Sequence, residues 1–205
     1  MTKDRQPPPR NGLFRHETFR DYLPWILMAA VLVWMSVQLW FQGRIWWCEL
    51  DSPVYLWTPD AWSSHTSQHL FDPYSLTHLL HGFLFLWGAN LLFRGKIRFS
   101  WLLLICVFGE ALWEVIENSP GIIERYRANT ASLDYFGDSV ANSIGDVVAC
   151  ILGFITAYKL RIWKSLAIFA IIEIFLIVTI RDSLLINIIM LLYPIQAIRV
   201  WQTGG

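Results

Sequence analysis

The sequence predicts an all-α, polytopic helical membrane protein with five transmembrane helices and a short sixth segment that either spans or inserts partway. Three observations support this prediction. Apolar residues make up 55% of the 205 residues and the mean hydropathy is +0.42, values that do not fit a soluble globule. The apolar residues occur in runs close to the roughly 20 residues that cross a bilayer. Tryptophan, which is enriched at membrane interfaces, occurs twelve times.

The chain divides into a polar tail and one transmembrane domain. Residues 1–22 contain a Pro7-Pro8-Pro9 run and several basic residues, so we predict a disordered cytoplasmic tail that builds no core. Residues 23–201 form the single transmembrane domain. Its predicted helices cover residues 23–41, 74–93, 99–118, 138–158 and 165–180, with the sixth segment at 183–201. Because Pro194 interrupts that segment, the sequence leaves open whether it spans the membrane or forms a partly inserted hairpin arm.

Local signals set the ends of these helices. The first run is followed by Gln42-Gly43-Arg44 and lacks a small-residue cleavage pattern, which favours an uncleaved helix over a signal peptide. Ser119-Pro120-Gly121 ends the third helix, and Asp138 or Ser139 caps the fourth. Between them, the mixture of apolar and charged residues around Tyr126 predicts a short interfacial turn of helix.

The distribution of Lys and Arg predicts the orientation. Basic residues concentrate in the tail and in residues 94–98 and 159–164, while the long loops at 42–73 and 119–137 hold few relative to their acids. By the positive-inside rule, the N-terminus is cytoplasmic and both long loops are outside. In a bacterium, this places the chain in the inner (plasma) membrane with its loops in the periplasm.

Charge balance and residue spacing argue against several other classes of protein. Sixteen basic and sixteen acidic residues cancel, so net charge gives no reason to expect nucleic-acid binding. Cys48, Cys106 and Cys150 are scattered and form no C-x-x-C, which argues against a disulfide framework and a zinc ribbon. The sequence contains no serine-hydrolase elbow, P-loop or dinucleotide fingerprint.

Polar side chains within the third and fourth helices mark the candidate site. An ionisable group inside a membrane segment costs about 2.5–3.5 kcal/mol on insertion scales and by default faces a functional interior. On each helix these side chains fall on one stripe, within roughly 60° to 80° of arc. The candidate catalytic or orienting residues are Glu110, Glu114, Glu117, Asp138, Asn142 and Asp146.

Depth below the outer helix ends places the polar residues in two layers. At about 1.5 Å per residue, Glu110 lies roughly 10 Å below Glu117, and similar depths are reached on the second and fourth helices. The upper layer contains His78, Glu114 and Asn142, and the lower layer contains His81, Glu110 and Asp146. Glu173 on the fifth helix reaches the depth of the lower layer and is a further candidate.

A divalent metal ion suits this arrangement. His78 and His81 at i, i+3, together with the carboxylate of Glu114, are ligand types of zinc, manganese or iron sites. His65 and His69, at i, i+4 in the preceding loop, are close enough in sequence to fold over the site. The same groups also suit mutual pairing that fixes helix packing, acid–base catalysis without a metal, or a proton relay.

Three arginines lie near the predicted mouth of the site, namely Arg125, Arg127 and Arg181. We predict that they bind the anionic headgroup or phosphate of a substrate, although a solvated interfacial arginine is the commoner arrangement. Membrane lipids are therefore the expected partners, and the sequence identifies no protein partner.

Three stretches resemble an uncharacterised family of bacterial multi-pass inner-membrane proteins, a domain of unknown function. They are the run from Phe71 to Gly82, the run from Trp113 to Pro120, and the run from Asp134 to Asp146. The run from Trp113 to Pro120 is the most specific of the three. This resemblance implies a plasma-membrane location and no particular activity.

A fainter likeness is to the VanZ-like membrane proteins. Their pattern of an intramembrane Glu, a loop Arg and then Asp, Asn and Gly is similar to Glu114, Arg127, Asp138, Asn142 and Gly145. This sequence departs from that pattern by its paired histidines and additional carboxylates. The likeness implies an outward-facing site for a lipid or an envelope precursor.

The sequence supports three functional hypotheses. The first is an integral membrane protein whose outward-facing polar site acts on, or binds, a lipid or envelope precursor, with a divalent metal as the candidate cofactor. The second is a proton-linked transporter or flippase, which ranks lower because no second half resembles the first. The third is a non-catalytic membrane subunit of a complex.

Overall fold

The protein is an eight-helix bundle in the described parts of the computed structural model, which are residues 19–48, 50, 52–53, 55–129 and 135–204. Apart from one isolated β-bridge between Trp57 and Phe71, the regular structure in these ranges is helical. The first four helices are α1 (Phe19–Phe41), α2 (Ser75–Phe93), α3 (Phe99–Glu117) and α4 (Pro120–Asn129). The other four are α5 (Val140–Lys159), α6 (Ile162–Ile180), α7 (Leu184–Leu192) and α8 (Gln196–Gln202).

Five of these helices, α1, α2, α3, α5 and α6, are long and apolar enough to cross a membrane. The prediction of an all-α fold with five such helices is confirmed. The most buried of them is α5, which packs against α1, α2, α3 and α6. The outer faces of α1 and α6 are largely exposed and apolar, as expected for surfaces that contact lipid.

The first helix begins at Phe19, four residues before the predicted start at residue 23. Asp21 lies in its first turn, where a carboxylate interacts favourably with the helix dipole. The same carboxylate accepts a hydrogen bond of 3.0 Å from Arg98, which precedes α3. These contacts extend the helix into the end of the predicted tail, and residues 1–18 of that tail lie outside the described residues.

The last apolar segment does not form a sixth span. It divides into α7 and α8, with Tyr193 to Ile195 outside both helices and Pro194 unable to donate a backbone hydrogen bond. The nine residues of α7 extend over about 13 Å, which is too short for the roughly 30 Å of a bilayer core. Because α6 ends where α2 and α5 begin, α7 lies at that same end, which we call the polar end of the bundle.

Both ends of α7 are held by polar contacts. Glu173 of α6 accepts hydrogen bonds from the backbone N–H groups of Leu184 at 3.0 Å and Leu185 at 3.3 Å. At the other end, Arg125 of α4 donates to the carbonyl oxygens of Leu191 and Leu192. These are groups that a helix terminus leaves without partners. Glu173, expected in the lower layer of the site, therefore fixes the start of α7.

Asp182 supports the same helix start from the connection between α6 and α7. Its carboxylate accepts a hydrogen bond from the N–H of Ser183 at 2.8 Å and one from the hydroxyl of Tyr74 at 3.4 Å. Burial of this side chain raises the pKa of Asp182 to about 7, against the lowering effect of those two hydrogen bonds.

Close approach of α2 and α5 brings the polar side chains of the two helices together. A Cβ at Gly82 of α2 would overlap the backbone of α5 at Cys150 and Phe154. A Cβ at Gly153 would overlap the backbone of α2 at Leu79. Small residues at such positions let transmembrane helices pack backbone to backbone. The contact lies about one turn below His78, so it sets how near that histidine comes to α5.

We expect Gly82→Ala to lower the thermal unfolding midpoint in detergent, because the added methyl group overlaps the α5 backbone. Overpacking of this kind costs about 1–3 kcal/mol. Gly88→Ala is the matched control on the same helix, since a Cβ there meets nothing within 4 Å. Alanine also favours helix by up to about 1 kcal/mol over glycine. Equal midpoints for the two variants would contradict the close contact.

We expect Asp182→Asn to remove part of the pH dependence of stability. The pKa of Asp182 in the folded protein, about 7, lies above its ordinary value of 3.8, so the folded state holds this proton more tightly. The stability that this tighter proton binding contributes to the folded state is fully present below the ordinary pKa and is lost as the pH rises through about 7. The wild-type unfolding midpoint should therefore fall relative to that of Asp182→Asn between about pH 4 and about pH 7.

The control for this comparison is Asp60→Asn, which neutralises an exposed carboxylate in the loop before α2. The unfolding midpoint of this variant should fall with rising pH as that of the wild type does. A wild-type curve parallel to that of Asp182→Asn across the whole range would contradict the buried environment of Asp182.

Candidate functional site

His78 is at the centre of the candidate site. Its Nδ1 lies 2.6 Å from Oε1 of Glu110 and 3.1 Å from Oε1 of Glu114. Its Nε2 lies 4.0 Å from Oδ2 of Asp146. One imidazole of α2 therefore faces carboxylates of both α3 and α5, and all four of these side chains are buried.

His81, one turn further along α2, shares a carboxylate with His78. Its Nδ1 lies 3.0 Å from each oxygen of Glu110, and its ring packs edge-on against Trp113 at a centroid distance of 5.9 Å. Both members of the predicted lower layer on α2 and α3, His81 and Glu110, are therefore in contact. The predicted layers merge here into one cluster, because His78 reaches Glu110 as well as Glu114.

Several carboxylate oxygens of this cluster are buried without a hydrogen-bond partner among the described residues. They are Oε2 of Glu114, Oε2 of Glu117 and Oδ1 of Asp146, while Oε1 of Glu114 lies 3.1 Å from Nδ1 of His78. A buried oxygen that carries negative charge and lacks a donor is costly. Protons or a metal ion would neutralise these oxygens.

Glu117 lies one turn above Glu114, at the end of α3 and beside Tyr126 of α4. The Tyr126 hydroxyl is hydrogen-bonded to the Glu117 side chain, and burial followed by the nearby charge of Glu117 raises the pKa of this phenol well above its ordinary value. Tyr126 therefore stays protonated and acts as a donor. Of the three predicted glutamates, Glu117 is the most accessible, because the other two are fully buried.

Asp138 is held at the start of α5 by Asn118 and Tyr135. The Asn118 side chain donates to Oδ2 of Asp138 at 2.8 Å and accepts from the Asp138 N–H at 2.6 Å. The Tyr135 hydroxyl lies 3.1 Å from both carboxylate oxygens, and burial raises the pKa of Tyr135 well above its ordinary value. The Asp138 carboxylate thus accepts from two donors and its N–H donates back to Asn118, which ties the end of α3 to the start of α5.

Asn142, the remaining predicted site residue, has a different partner from the one expected. Its side chain donates to the backbone carbonyl of His69 at 2.8 Å, while its N–H donates to the Ser139 hydroxyl at 3.1 Å. Ser139 is therefore the N-cap of α5, one of the two predicted caps. Asn142 holds the loop before α2 against α5.

A cavity of about 530 Å³ opens beside this cluster at the polar end of the bundle. Such a volume falls within the roughly 300–1,000 Å³ of small-molecule sites. The titratable cluster residues that line it are His78, His81, Glu117, Asp138 and Asp146. Most of the remaining wall is apolar or aromatic and includes Trp62, Leu84, Trp113, Phe136, Leu184, Ile188 and Leu191. Glu110 and Glu114 lie behind the two histidines.

The cluster residues fit a metal ion. The ligand atoms of His78, His81 and Glu110 lie within 4.8 Å of one another, and so do those of His78, Glu114 and Glu117. Because both sets use His78, whose Nδ1 faces Glu110 and Glu114, they describe one site with alternative carboxylates. Ligands about 2.1 Å from an octahedral ion stand about 3 Å apart, close to the contacts of 2.6–3.1 Å found here. Mixed imidazole and carboxylate ligands suit zinc, manganese or iron.

The three arginines predicted to bind substrate lie outside the described cavity wall. Arg125 is engaged with the end of α7, as described above. Arg127 donates to the carbonyl of Tyr135 at 2.6 Å and stacks 4.7 Å above the centroid of the Phe136 ring. Arg181 donates to the carbonyl of Trp201 at 3.2 Å. Each of these guanidinium groups donates a hydrogen bond to a backbone carbonyl oxygen. Their role in substrate binding stays a prediction.

The loop before α2 covers part of the cavity. The sequence suggested that His65 and His69 would do this, but other side chains of the loop form the cover. Ser64, Thr66, Ser67 and Gln68 line the cavity. The rings of His65 and His69 instead approach Cys48, near the end of α1. The pKa of His69 is lowered by burial and then by the charge of His65. Cys48 had no role in the sequence prediction, although it is the one cysteine outside the apolar runs.

Sequence reasoning also missed Asn118, Tyr126 and Tyr135 as supports of the site. The sequence predicts Asn118 only as the last residue of the third helix, and Tyr126 only as part of the short interfacial helix. A signal was present for Asn118, because a hydrogen-bonding side chain at the outer end of the carboxylate-rich α3 is well placed to meet those carboxylates.

Comparisons with known proteins agree with the resemblance seen in the sequence. The family described as "Protein of unknown function (DUF2585)" matches residues 39–204. A UPF0314 protein of Brucella anthropi is 43% identical over 179 residues, which cover 87% of this chain and 90% of that protein. A UPF0314 protein of Paracoccus denitrificans is 43% identical over 185 residues, which cover 90% of this chain and 95% of that protein.

A third relative, the UPF0314 protein R03235 of Rhizobium meliloti, is 43% identical over 183 residues, covering 88% of this chain and 91% of that protein. No solved structure matches the chain. The predicted membership of an uncharacterised bacterial family is confirmed, and the apolar helices fit a bacterial membrane protein. The chain therefore belongs to the DUF2585 family, whose bacterial relatives carry the name UPF0314 protein.

Proposed function

We propose that this protein is a multi-pass protein of the bacterial inner membrane that binds one divalent transition-metal ion and uses it on the polar group of a lipid or lipid-linked envelope precursor. The observation that supports the metal most directly is the contact set of His78. This one buried ring faces three carboxylates, and Glu114 and Asp146 keep oxygens without hydrogen-bond partners beside it. A cation shared among these atoms neutralises them and uses their lone pairs.

The ligands of the metal come from two helices in this proposal. His78 and His81 supply imidazole nitrogens from α2, and Glu110 and Glu114 supply carboxylate oxygens from α3. A divalent ion held there would supply Lewis-acid chemistry toward an ester or phosphoryl oxygen. Asp146 of α5 faces the second nitrogen of His78 at 4.0 Å, an ion-pair distance that is longer than a hydrogen bond.

Glu117 is the residue best placed for proton transfer. It lines the cavity above the cluster, and its hydrogen bond from Tyr126 fixes the carboxylate while leaving Oε2 without a partner among the described residues. A carboxylate at a cavity wall beside metal ligands can accept a proton from an attacking water molecule. We therefore assign Glu117 as the general base and Asp138, through Asn118, as a positioning residue.

The composition of the cavity wall indicates an amphiphilic substrate. Its polar groups come from α2, α3, the start of α5 and the loop before α2, whereas α7 contributes a mainly apolar wall through Leu184, Ile188 and Leu191 beside Asn187. Because α7 is short, it ends at the polar end of the bundle instead of crossing to the other side. A lipid whose polar group reaches His81 can then rest its apolar part along α7.

The charge distribution supports an outward-facing site and a cytoplasmic N-terminus. The connections at the far end of the bundle, between α2 and α3 and between α5 and α6, carry Arg94, Lys96, Arg98, Lys159 and Arg161. By the positive-inside rule that end is cytoplasmic, so the cavity faces the periplasm.

A proton-linked transporter is the weaker candidate. Such a protein needs polar or ionisable groups that continue across the membrane. Below Glu110, the buried described residues of α2, α3 and α5 are apolar residues, glycine or cysteine, among them Phe83, Val107, Cys150 and Phe154. The polar groups stop at the floor of the cavity, which favours a site over a pathway.

We expect the wild-type protein, purified without chelators, to bind one Mn²⁺ ion per chain, counted from the signal of the free ion in electron paramagnetic resonance. His81→Ala and Glu114→Gln each remove a ligand and should weaken this binding by about 100-fold or more, since loss of even an outer-shell partner costs about 10- to 100-fold. Mn²⁺ is the chosen probe because it prefers oxygen and nitrogen over thiolate ligands.

Two control variants accompany this titration. Asn187→Ala changes a polar residue of the cavity wall outside the cluster, and Glu124→Gln neutralises an exposed carboxylate of α4. Both should bind Mn²⁺ as the wild type does. A folded wild type that binds no Mn²⁺, or equal binding by all the variants, would overturn the metal site.

We expect Ile188→Ser to weaken binding of a fluorescent phospholipid analogue in detergent by roughly tenfold, because it removes apolar contact from the cavity wall. Ile189→Ser is the matched control: the neighbouring residue of α7 has a similar exposure, 42% against 39%, and is not part of the described cavity wall. Equal affinities for the two variants would count against lipid binding in this cavity.

A further inference from the structure

Cys48, His65 and His69 form a second cluster at the polar end, separate from the cluster of His78. The sulfur of Cys48 lies 3.4 Å from Nδ1 of His65, and this same nitrogen lies 3.3 Å from Nε2 of His69. Possible ligand atoms of all three residues lie within 4.8 Å of one another. Cys48 is 8% exposed and His69 is 1% exposed, so two of the three side chains are shielded from solvent.

Hydrogen bonds alone satisfy this contact set poorly. Nδ1 of His65 has either one proton or one lone pair, yet it faces both a thiol and a second imidazole nitrogen. Nε2 of His69 likewise faces His65 and also the hydroxyl of Ser52 at 3.2 Å. A single metal ion accepts a lone pair from each of the three residues at once.

The distances match those of a tetrahedral zinc site. With bonds of about 2.05 Å to nitrogen and about 2.3 Å to sulfur, ligand atoms stand about 3.3 Å apart for two nitrogens and about 3.6 Å apart for nitrogen and sulfur. The distances found here are 3.3 and 3.4 Å. The spacing of the two histidines, with three residues between them, also falls within the H-x₃₋₅-H range of zinc sites.

We infer that Cys48, His65 and His69 bind a zinc ion, with the fourth position taken by water or by the hydroxyl of Ser52. Thiolate and imidazole are the ligand types that zinc selects, whereas the carboxylate-rich cluster of His78 suits a harder ion. Aromatic rings surround the site: Tyr55 packs against His69 at a centroid distance of 5.0 Å and Trp47 at 5.3 Å.

The zinc ion has a structural role in this inference. It ties the part of the α1–α2 connection that contains His65 and His69 to Cys48, in the part that follows α1. That loop contacts α5 through the carbonyls of Ser67 and His69, which accept from the Ser139 N–H at 2.8 Å and from the Asn142 side chain at 2.8 Å. Residues 64 and 66–68 of the same loop line the cavity. The ion therefore fixes one wall of the cavity without touching its interior.

Cobalt substitution tests this site separately from the cluster of His78. The wild-type protein loaded with Co²⁺ should show a thiolate-to-cobalt charge-transfer band that saturates at one equivalent and disappears when Zn²⁺ is added. Cys48→Ser should lose this band, and His69→Ala should weaken Co²⁺ binding by about 100-fold or more. His81→Ala and Cys106→Ala, which leave the three ligands in place, should keep the band.

Cys48→His tests whether Cys48→Ser loses the band because the thiolate ligand is gone or because the protein no longer folds. This variant should still bind Co²⁺ while lacking the charge-transfer band, because imidazole replaces thiolate as the ligand. Absence of the band in the wild type, or its persistence in Cys48→Ser, would overturn the zinc site. Neither result would affect the Mn²⁺ titration of the His78 cluster.

Discussion

Neutralising the carboxylates that surround His78 is the constraint on which the rest of the structure depends. Glu110, Glu114 and Asp146 are buried beside this imidazole within helices that are apolar enough to cross a membrane. Charged groups in such surroundings persist only when they are paired or bind a cation. The close contact at Gly82 and Gly153 lies about one turn below and holds α2 against α5, so that His78 faces both α3 and α5. Helix packing and the chemistry of the site are thus set together.

The polar end of the bundle adds the parts that a substrate site needs. Glu173 and Arg125 hold the two ends of α7, so this short helix forms an apolar wall beside the polar cluster. Asn118 and Tyr135 hold Asp138 at the opposite wall. Below Glu110, the buried described residues of α2, α3 and α5 are apolar residues, glycine or cysteine, so the polar cluster is confined to one end of these helices. These features favour chemistry on a membrane amphiphile over transport.

Helix type and the membership of the central cluster could be predicted from the sequence, because both depend on local periodicity and on the cost of buried charge. The predicted helix at 74–93 agrees with α2 to within one residue. Depth counting placed His78 and Glu114 in an upper layer and His81, Glu110 and Asp146 in a lower one, whereas in the structure His78 faces carboxylates of both layers. The hydrogen-bond partners that side chains find in other parts of the chain could not be predicted. Glu173 binds the start of α7, Asn142 binds a loop carbonyl, and His65 turns toward Cys48, since loop paths depend on tertiary contacts that leave no periodic signal.

The most direct test of the central claim is an anomalous-difference map, measured at the metal absorption edge, from crystals of the wild-type protein grown with Mn²⁺. The account predicts a peak within bonding distance of His78, His81 and at least one carboxylate of α3, at about 2.0–2.2 Å. An ordered cluster without a peak, in which His78 and His81 remain hydrogen-bonded to Glu110, would contradict it. In that case protons, and not a metal ion, neutralise the buried carboxylates.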